Sequence, residues 1–226
     1  LADLVVWVDP LDGTRSFVER RPADVTTMVG VAHRGSPLAG IVTFPLDDSR
    51  PAAIWGGPQL GLHGITPVPR PTPVDGARPA VGLSYWVAND VEKLAAVHDA
   101  LPEPLFELDA SAGGMGHLCV RLLEGRLDAV RGHGFKWDTA APAALLGAVG
   151  GMITDMDGGM LSYHREAEQE NPGGVVASVA EHWRYVGHAG QATPTAIGAA
   201  GGGGGDDAVR QARSRLASAP APSPPQ

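Results

Sequence analysis

Cysteine and aromatic residues are scarce in this sequence of 226 residues, which has one cysteine, Cys119, and 5% aromatic side chains. A single cysteine excludes an internal disulfide and a cysteine-rich zinc site. It also suits a reducing compartment, so we expect a cytoplasmic protein. No apolar run reaches the roughly 18 residues that a membrane-spanning helix needs, so we expect no membrane partner.

Positive charge is also in short supply, because 17 Lys and Arg face 25 Asp and Glu and leave a formal net charge of −8. A protein that coats a nucleic-acid polymer needs a basic surface, so we expect no nucleic-acid polymer as a partner. A small phosphorylated substrate is compatible with this balance, provided that metal ions supply the positive charge.

Apolar residues, by contrast, make up 43% of the chain, enough for the core of one large domain or two small ones. Apolar runs predict strands at residues 4–8, 25–33, 38–44, 80–86, 126–131 and 160–163. The first strand is expected to end at Asp9, because Pro10 cannot donate to a ladder. Helices are predicted at residues 118–123 and 138–149. This order predicts an α/β fold, more specifically an α+β layered sandwich.

Composition divides the chain into three regions. Residues 66–79 hold five prolines and predict an extended connector, so we expect one subdomain at 1–76 and a second, α/β subdomain at 77–186. Residues 187–226 are rich in glycine and proline and are expected to be disordered. Leu1 opens directly in a predicted strand, from which we expect a chain truncated at its N-terminus.

Two carboxylates lie three residues apart in residues 9–14, which read Asp-Pro-Leu-Asp-Gly-Thr. Pro10 and Gly13 favour a tight turn that can direct both carboxylates and the carbonyl of Leu11 at one point. Carboxylate and carbonyl oxygens are ligands that Mg²⁺ prefers, and paired Mg²⁺ ions suit phosphoryl transfer. The residues alone leave an alternative open, in which both aspartates cap backbone groups of an Asx turn.

A third carboxylate, Asp138, follows Lys136 and Trp137 at the start of a predicted helix of small residues. A plain helix N-cap is one interpretation, since aspartate is favoured there. The other interpretation is a metal ligand held at the positive end of the helix. The residues alone leave both interpretations open.

The two segments together, in this order, resemble the signatures of the Mg²⁺-dependent, lithium-sensitive phosphatase superfamily that includes inositol monophosphatase. The closer likeness is to 3'(2'),5'-bisphosphate nucleotidases, which it resembles further at residues 24–40, 113–125 and 135–163. The likeness covers roughly residues 4–186. It implies the layered αβαβα fold of inositol monophosphatase, truncated at the N-terminus.

The resemblance implies a role for each matching residue. The metal ligands would be the carboxylates of Asp9, Asp12 and Asp138 and the carbonyl of Leu11. Asp9 and Thr14 would be the catalytic residues, with Thr14 orienting the attacking water. The substrate would contact Gly13, Thr14, Ser84, Tyr85, Gly113, Gly114 and His117.

The function implied by the resemblance is a Mg²⁺-dependent, lithium-sensitive phosphatase. It would release the 3'-phosphate of adenosine 3',5'-bisphosphate, or of its sulfated form, through a metal-activated water. The chain departs from the family's pattern: further metal carboxylates expected upstream of residue 9 are not in this sequence, Leu118 stands where bisphosphate nucleotidases usually carry a lysine, and Tyr85 stands where a histidine is common. Two alternatives therefore stay open, an inositol phosphate phosphatase of the same superfamily and an inactive relative that serves as an interaction module.

Overall fold

The computed structural model describes residues 3–68, 79–88, 92 and 107–186, and residues 107–112 by their backbone alone. These residues fall within one unit, Leu1–Gly190. The expected disordered tail at 187–226 lies outside the described residues, as does most of the predicted connector. Over the part of the chain that is described, no helix is long and apolar enough to cross a membrane.

The first five strands form an antiparallel meander in the order β1-β2-β3-β4-β5. They are β1 (Leu4–Asp12), β2 (Thr26–His33), β3 (Ser36–Thr43), β4 (Ile54–Gly57) and β5 (Gly61–His63). Arg34 and Gly35 take positive φ angles of 51° and 80°, so a two-residue turn joins β2 to β3. The strands predicted at residues 25–33 and 38–44 thus form an antiparallel hairpin.

The second sheet is mixed and has the strand order β7-β6-β8-β10-β9. Its strands are β6 (Ala80–Ser84), β7 (Glu107–Gly113), β8 (Ala129–Gly132), β9 (Met152–Asp155) and β10 (Val175–Ser178). β6 pairs in parallel with both β7 and β8, and β10 pairs antiparallel with β8 and β9. The carboxyl ends of β6, β7 and β8 therefore lie at one edge of this sheet.

Two longer helices lie between the sheets and form the middle layer. The described helices are α1 (Thr14–Val18), α2 (Tyr85–Ala88), α3 (Met115–Leu123) and α4 (Lys136–Gly147). α4 packs against β1 to β4 of the first sheet, and α3 contacts β6 and β8 of the second. One hydrophobic cluster runs through all three layers, and it includes Met28, Leu118, Leu145 and Val130.

Small residues bring α4 unusually close to the first sheet. An added Cβ at Gly30 would lie 2.6 Å from the Cβ of Ala140, and one at Gly40 would lie 2.4 Å from the carbonyl oxygen of Ala141. Such distances are too short for a side chain, so both positions require glycine. This close packing fixes where the N-terminus of α4 stands relative to the end of β1.

The layered α/β fold class predicted from the sequence is confirmed, and three local predictions are wrong. β1 continues through Pro10 to Asp12 instead of ending at Asp9; β1 lies at an edge of the described sheet, where proline is tolerated. Residues 85 and 86 start a short helix. The strand predicted at 160–163 is reduced to one bridge, between Met160 and Thr154.

Candidate metal and phosphate site

An irregularity in β1 brings two carboxylates to one side of the strand. Asp9 pairs with Met28 and Asp12 with Thr26, and the register shifts between the two pairs. Residues three apart on a regular strand point to opposite faces, so the bulge is what lets both aspartates face one point. Gly13 then takes a φ of 76° and turns the chain into α1.

The carboxylate of Asp12 is buried and held by groups from two other elements. Its Oδ2 accepts hydrogen bonds from the Thr26 hydroxyl at 2.7 Å and from the backbone N–H of Gly116 at 2.8 Å. Burial raises the pKa of Asp12 to about 6, and the nearby charge of Asp9 also raises it. The start of α3 therefore helps to fix the position of this carboxylate.

Two glycines at the start of α3 leave room for the carboxylate of Asp12 and the hydroxyl of Thr26. An added Cβ at Gly114 would lie 2.2 Å from Oδ1 of Asp12, and one at Gly116 would lie 2.3 Å from the Thr26 hydroxyl oxygen. The turn is therefore glycine-rich because it must approach the carboxylate of Asp12 closely.

Asp138 lies in the first turn of α4, where its Oδ2 accepts the N–H of Phe135 at 2.6 Å. Phe135 is the N-cap of α4, not Asp138, and the carboxylate of Asp138 bonds back to the N-cap as part of a capping box. The pKa of Asp138 is raised to about 8, mainly by burial and, to a smaller extent, by the charges of Asp12 and Asp9. Asp138 therefore also belongs to a cluster of interacting acids.

The three carboxylates meet, since Asp9, Asp12 and Asp138 each offer an oxygen and these oxygens lie within 4.8 Å of one another. Burial is also the main cause that raises the pKa of Asp9. Such a group of partly buried acids carries mutual repulsion, which a bound cation would remove. An all-oxygen donor set with this charge fits a hard divalent metal ion.

A cavity of about 1130 Å³ opens beside the carboxylates. Its walls come from the end of β1 and the start of α1, from the carboxyl ends of β6 and β8, and from the start of α4. The lining includes Asp9, Leu11, Asp12, Gly13, Thr14, Ser84, Tyr85, Trp86, Gly113, Gly114, His133, Phe135, Trp137 and Asp138. Carboxyl ends of parallel strands are the usual place for a ligand site in open α/β sheets.

Most of the predicted site residues line this cavity, and the structure gives several of them structural partners. The Thr14 hydroxyl donates to the carbonyl of Leu11 at 2.9 Å, which leaves that carbonyl a second lone pair. Ser84 accepts the backbone N–H of His133 at 3.1 Å. The ring of Tyr85 lies beside the guanidinium of Arg15, 5.0 Å from the ring centre.

His117 is the predicted substrate contact that does not line the cavity. Its Nε2 lies 3.6 Å from Oδ1 of Asp24, and its Nδ1 has no hydrogen-bond partner among the described residues. Burial lowers the pKa of His117. Leu118 beside it is fully buried, so this turn presents no basic side chain to the cavity.

Comparison with known proteins agrees with this geometry. A model of the inositol monophosphatase family matches residues 2–193. This chain belongs to the inositol monophosphatase family. The mouse protein 3'(2'),5'-bisphosphate nucleotidase 1 is 32% identical over 205 residues, which cover 86% of this chain and 64% of the mouse protein. The chain thus spans just under two thirds of the length of that family member.

Solved structures of the family share the fold. An inositol monophosphatase from Zymomonas mobilis has a TM-score of 0.63 and 23% identity, covering 80% of this chain and 67% of that one. The staphylococcal protein SaIMPase-II with bound 2'AMP has a TM-score of 0.62 and 18% identity, covering 82% and 66%. The same protein with bound inositol monophosphate has a TM-score of 0.60 and 18% identity, covering 77% and 64%. The fold implied by the resemblance in sequence is confirmed.

Sequence reasoning missed several residues at the site. Thr26 and the N–H of Gly116 hold Asp12 from elements that are far from it in the chain, and no local pattern marks them. Trp86 and His133 line the cavity as well. Their signal was present, because each follows an apolar run at the carboxyl end of a strand, where ligands of α/β proteins commonly bind.

Proposed function

We propose that this chain carries the active site of a Mg²⁺-dependent phosphatase that removes the 3'-phosphate from adenosine 3',5'-bisphosphate or its sulfated form. The observation that carries the proposal is the meeting of three carboxylates within 4.8 Å at the edge of a large cavity. The name of the mouse relative supports the nucleotide as substrate.

In this proposal the carboxylates of Asp9, Asp12 and Asp138 and the carbonyl of Leu11 hold the metal. A divalent cation bound there would neutralise phosphate charge and lower the pKa of an attacking water. Hydrogen bonds from Thr26 and Gly116 to Oδ2 hold the carboxylate of Asp12 in place for this task.

Thr14 has the proposed task of orienting the attacking water through its hydroxyl. That hydroxyl already donates to the carbonyl of Leu11, so its oxygen can accept a hydrogen bond from water. The backbone of Gly13 and Thr14 would contact the scissile phosphate. Arg15 lines the cavity but pairs with Glu19 at 2.8 Å, so we assign the neutralisation of phosphate charge to the metal. We also expect Li⁺ to inhibit the reaction.

An inositol phosphate is the second candidate substrate. The observation in its favour is the buried Leu118, because the turn at the start of α3 offers no basic group to a second phosphate. SaIMPase-II has been solved with 2'AMP and with inositol monophosphate, so one member of this fold accepts ligands of both kinds.

The test is phosphate release from both substrates with and without Mg²⁺, in the wild type and in Asp138→Asn. Asparagine keeps an oxygen for the N–H of Phe135, so this hydrogen bond survives while the charge is lost. We expect release to fall by at least about 100-fold, the upper range for loss of a supporting group at a metal site.

The matched control is Asp128→Asn, since Asp128 also accepts a backbone N–H, that of Ala80 at 2.7 Å, but lies outside the cavity lining. Asp128→Asn should keep its Mg²⁺-dependent activity. Activity that survives Asp138→Asn would overturn the proposed metal site. A wild type that binds no Mg²⁺ and releases no phosphate would favour the inactive relative.

A further inference from the structure

Three tryptophans of the described chain are exposed, Trp55, Trp86 and Trp183, and of these Trp86 lines the cavity. Trp86 is 59% exposed and forms part of the cavity wall, whereas Trp183 is 63% exposed and does not. Aromatic residues make up 5% of the sequence, yet Tyr85, Trp86, Phe135 and Trp137 all line this one cavity. The cavity wall is therefore much richer in aromatic side chains than the chain as a whole.

The aromatic residues of the cavity wall differ in what their faces contact. Phe135 and Trp137 stack on each other with ring centres 4.4 Å apart and an interplanar angle of 6°. The guanidinium groups of Arg15 and Arg21 lie 5.0 Å and 5.4 Å from the ring centre of Tyr85. Trp86 is the most exposed member of the set.

The position of Trp86 is set by the second sheet. β6 and β8 pair in parallel, and the hydroxyl of Ser84 at the end of β6 accepts the N–H of His133 just beyond β8. The rings of Trp86 and His133 then lie 6.2 Å apart at an angle of 44°. Two neighbouring strand ends thus hold the indole at the cavity wall.

We propose that the indole of Trp86 stacks on the base of a nucleotide whose phosphate lies at the carboxylates of Asp9, Asp12 and Asp138. This proposal rests on the proposed phosphatase function and adds to it a residue that selects the substrate. Every nucleobase has a π face that can stack on indole. The saturated ring of an inositol has none, so Trp86 favours nucleotides over inositol phosphates.

The kinetic test compares Trp86→Ala, Trp86→Phe and Trp183→Ala on adenosine 3',5'-bisphosphate and on inositol 1-phosphate. Loss of one base stack should raise the KM of Trp86→Ala for the nucleotide about 10-fold, with kcat nearly unchanged. Its KM for inositol 1-phosphate should stay within about twofold. Trp86→Phe should recover most of the nucleotide KM, and Trp183→Ala should match the wild type on both substrates.

A binding measurement separates this proposal from the phosphatase function itself. Adenosine 5'-monophosphate and ribose 5-phosphate are titrated into the same variants with Mg²⁺ present, and this readout needs no turnover. We expect Trp86→Ala to weaken binding of the adenosine compound about 10-fold and to leave ribose 5-phosphate binding unchanged.

Two results would overturn the role of Trp86: equal losses for ligands with and without a base, or unchanged affinity for the adenosine compound in Trp86→Ala. If Trp86→Ala does not fold, as judged by circular dichroism, the same comparison is made with Trp86→Phe and Trp86→Leu. A wild type that binds the adenosine compound through Trp86 but releases no phosphate would overturn the phosphatase function and leave the base subsite standing.

Discussion

The two sheets differ in how far their faces are buried. In the first sheet one face packs on α4, while the other exposes apolar side chains, with Val6 at 57% and Val8 at 51% exposed. In the second sheet all residues of β8 and β10 are buried. The alternating first sheet has one side that tolerates change, whereas the second sheet has buried positions on both sides.

The site takes different contributions from these two sheets. The first supplies the carboxylates of Asp9 and Asp12 through a bulge in β1, and the second supplies the cavity wall through the carboxyl ends of β6 and β8. Catalytic geometry therefore depends on the middle layer, because α3 and α4 connect both sheets and hold Asp12 and Asp138. Substitutions that push these layers apart should therefore cause the largest losses of stability.

The largest expected effect is at the contact between the first sheet and α4. Gly40→Ala would place a Cβ 2.4 Å from the carbonyl oxygen of Ala141, and overpacking against backbone should destabilise the fold by about 3 kcal/mol. Gly173→Ala is the control, because no atom lies within 4 Å of its added Cβ and stability should change by less than about 0.5 kcal/mol. Equal urea midpoints for the two variants would contradict the close approach of α4.

Two valine-to-threonine substitutions, one in each sheet, test this difference in burial directly. Val176 in β10 is fully buried, so the new hydroxyl of Val176→Thr loses water and should cost about 2 kcal/mol of unfolding free energy. Val6→Thr on the exposed face of β1 should cost less than about 0.5 kcal/mol. Chemical denaturation of both variants checks this, and similar costs would refute the exposure of the outer face.

Arg131 breaks the apolar pattern of the second sheet. It is 1% exposed, and neither its Nε nor its Nη2 has a hydrogen-bond partner in the described part of the chain. Burial lowers the pKa of this guanidinium. Replacing it by an unbranched apolar side chain in Arg131→Met should therefore raise the stability by about 1 kcal/mol. A lower thermal midpoint for Arg131→Met would show that the charge has a stabilising role.

The smallest expected effect is a pH dependence at the edge of the second sheet. The two ring nitrogens of His182 lie 2.9 Å from the hydroxyls of Thr154 and Ser178, and burial lowers its pKa below the usual 6.5. The folded state keeps the ring neutral while the unfolded chain takes up a proton as the pH falls through about 6.5. The contribution of His182 to stability is thus complete above that pH and is lost below it.

Denaturation of His182→Gln at pH 7.5 and pH 5.5 checks this dependence. The variant should lose less stability than the wild type between the two conditions, because it has no ring to protonate. His63→Gln, at an exposed position, controls for the removal of a histidine. If the stability of His182→Gln depends on pH as strongly as that of the wild type, other groups are responsible for the dependence.

The sequence was sufficient for features that rest on local pattern. Apolar runs located β2 and β3, and the family resemblance of the two signature segments selected the three aspartates that meet. What failed was set by distant contacts: β1 passes through Pro10 because that strand lies at a sheet edge, and His117 turns away because Asp24 lies beside it. Distances between such elements depend on the packing of α3 and α4, which no local pattern encodes.

The exposed face of β1 also has a consequence for handling the chain. Among the described strands β1 pairs with β2 alone, so its other backbone edge is open, and its outward valines are apolar. An open edge with alternating valines is a template on which another strand can add. We therefore expect β1 to be a site at which a strand of another molecule can add as the protein concentration rises.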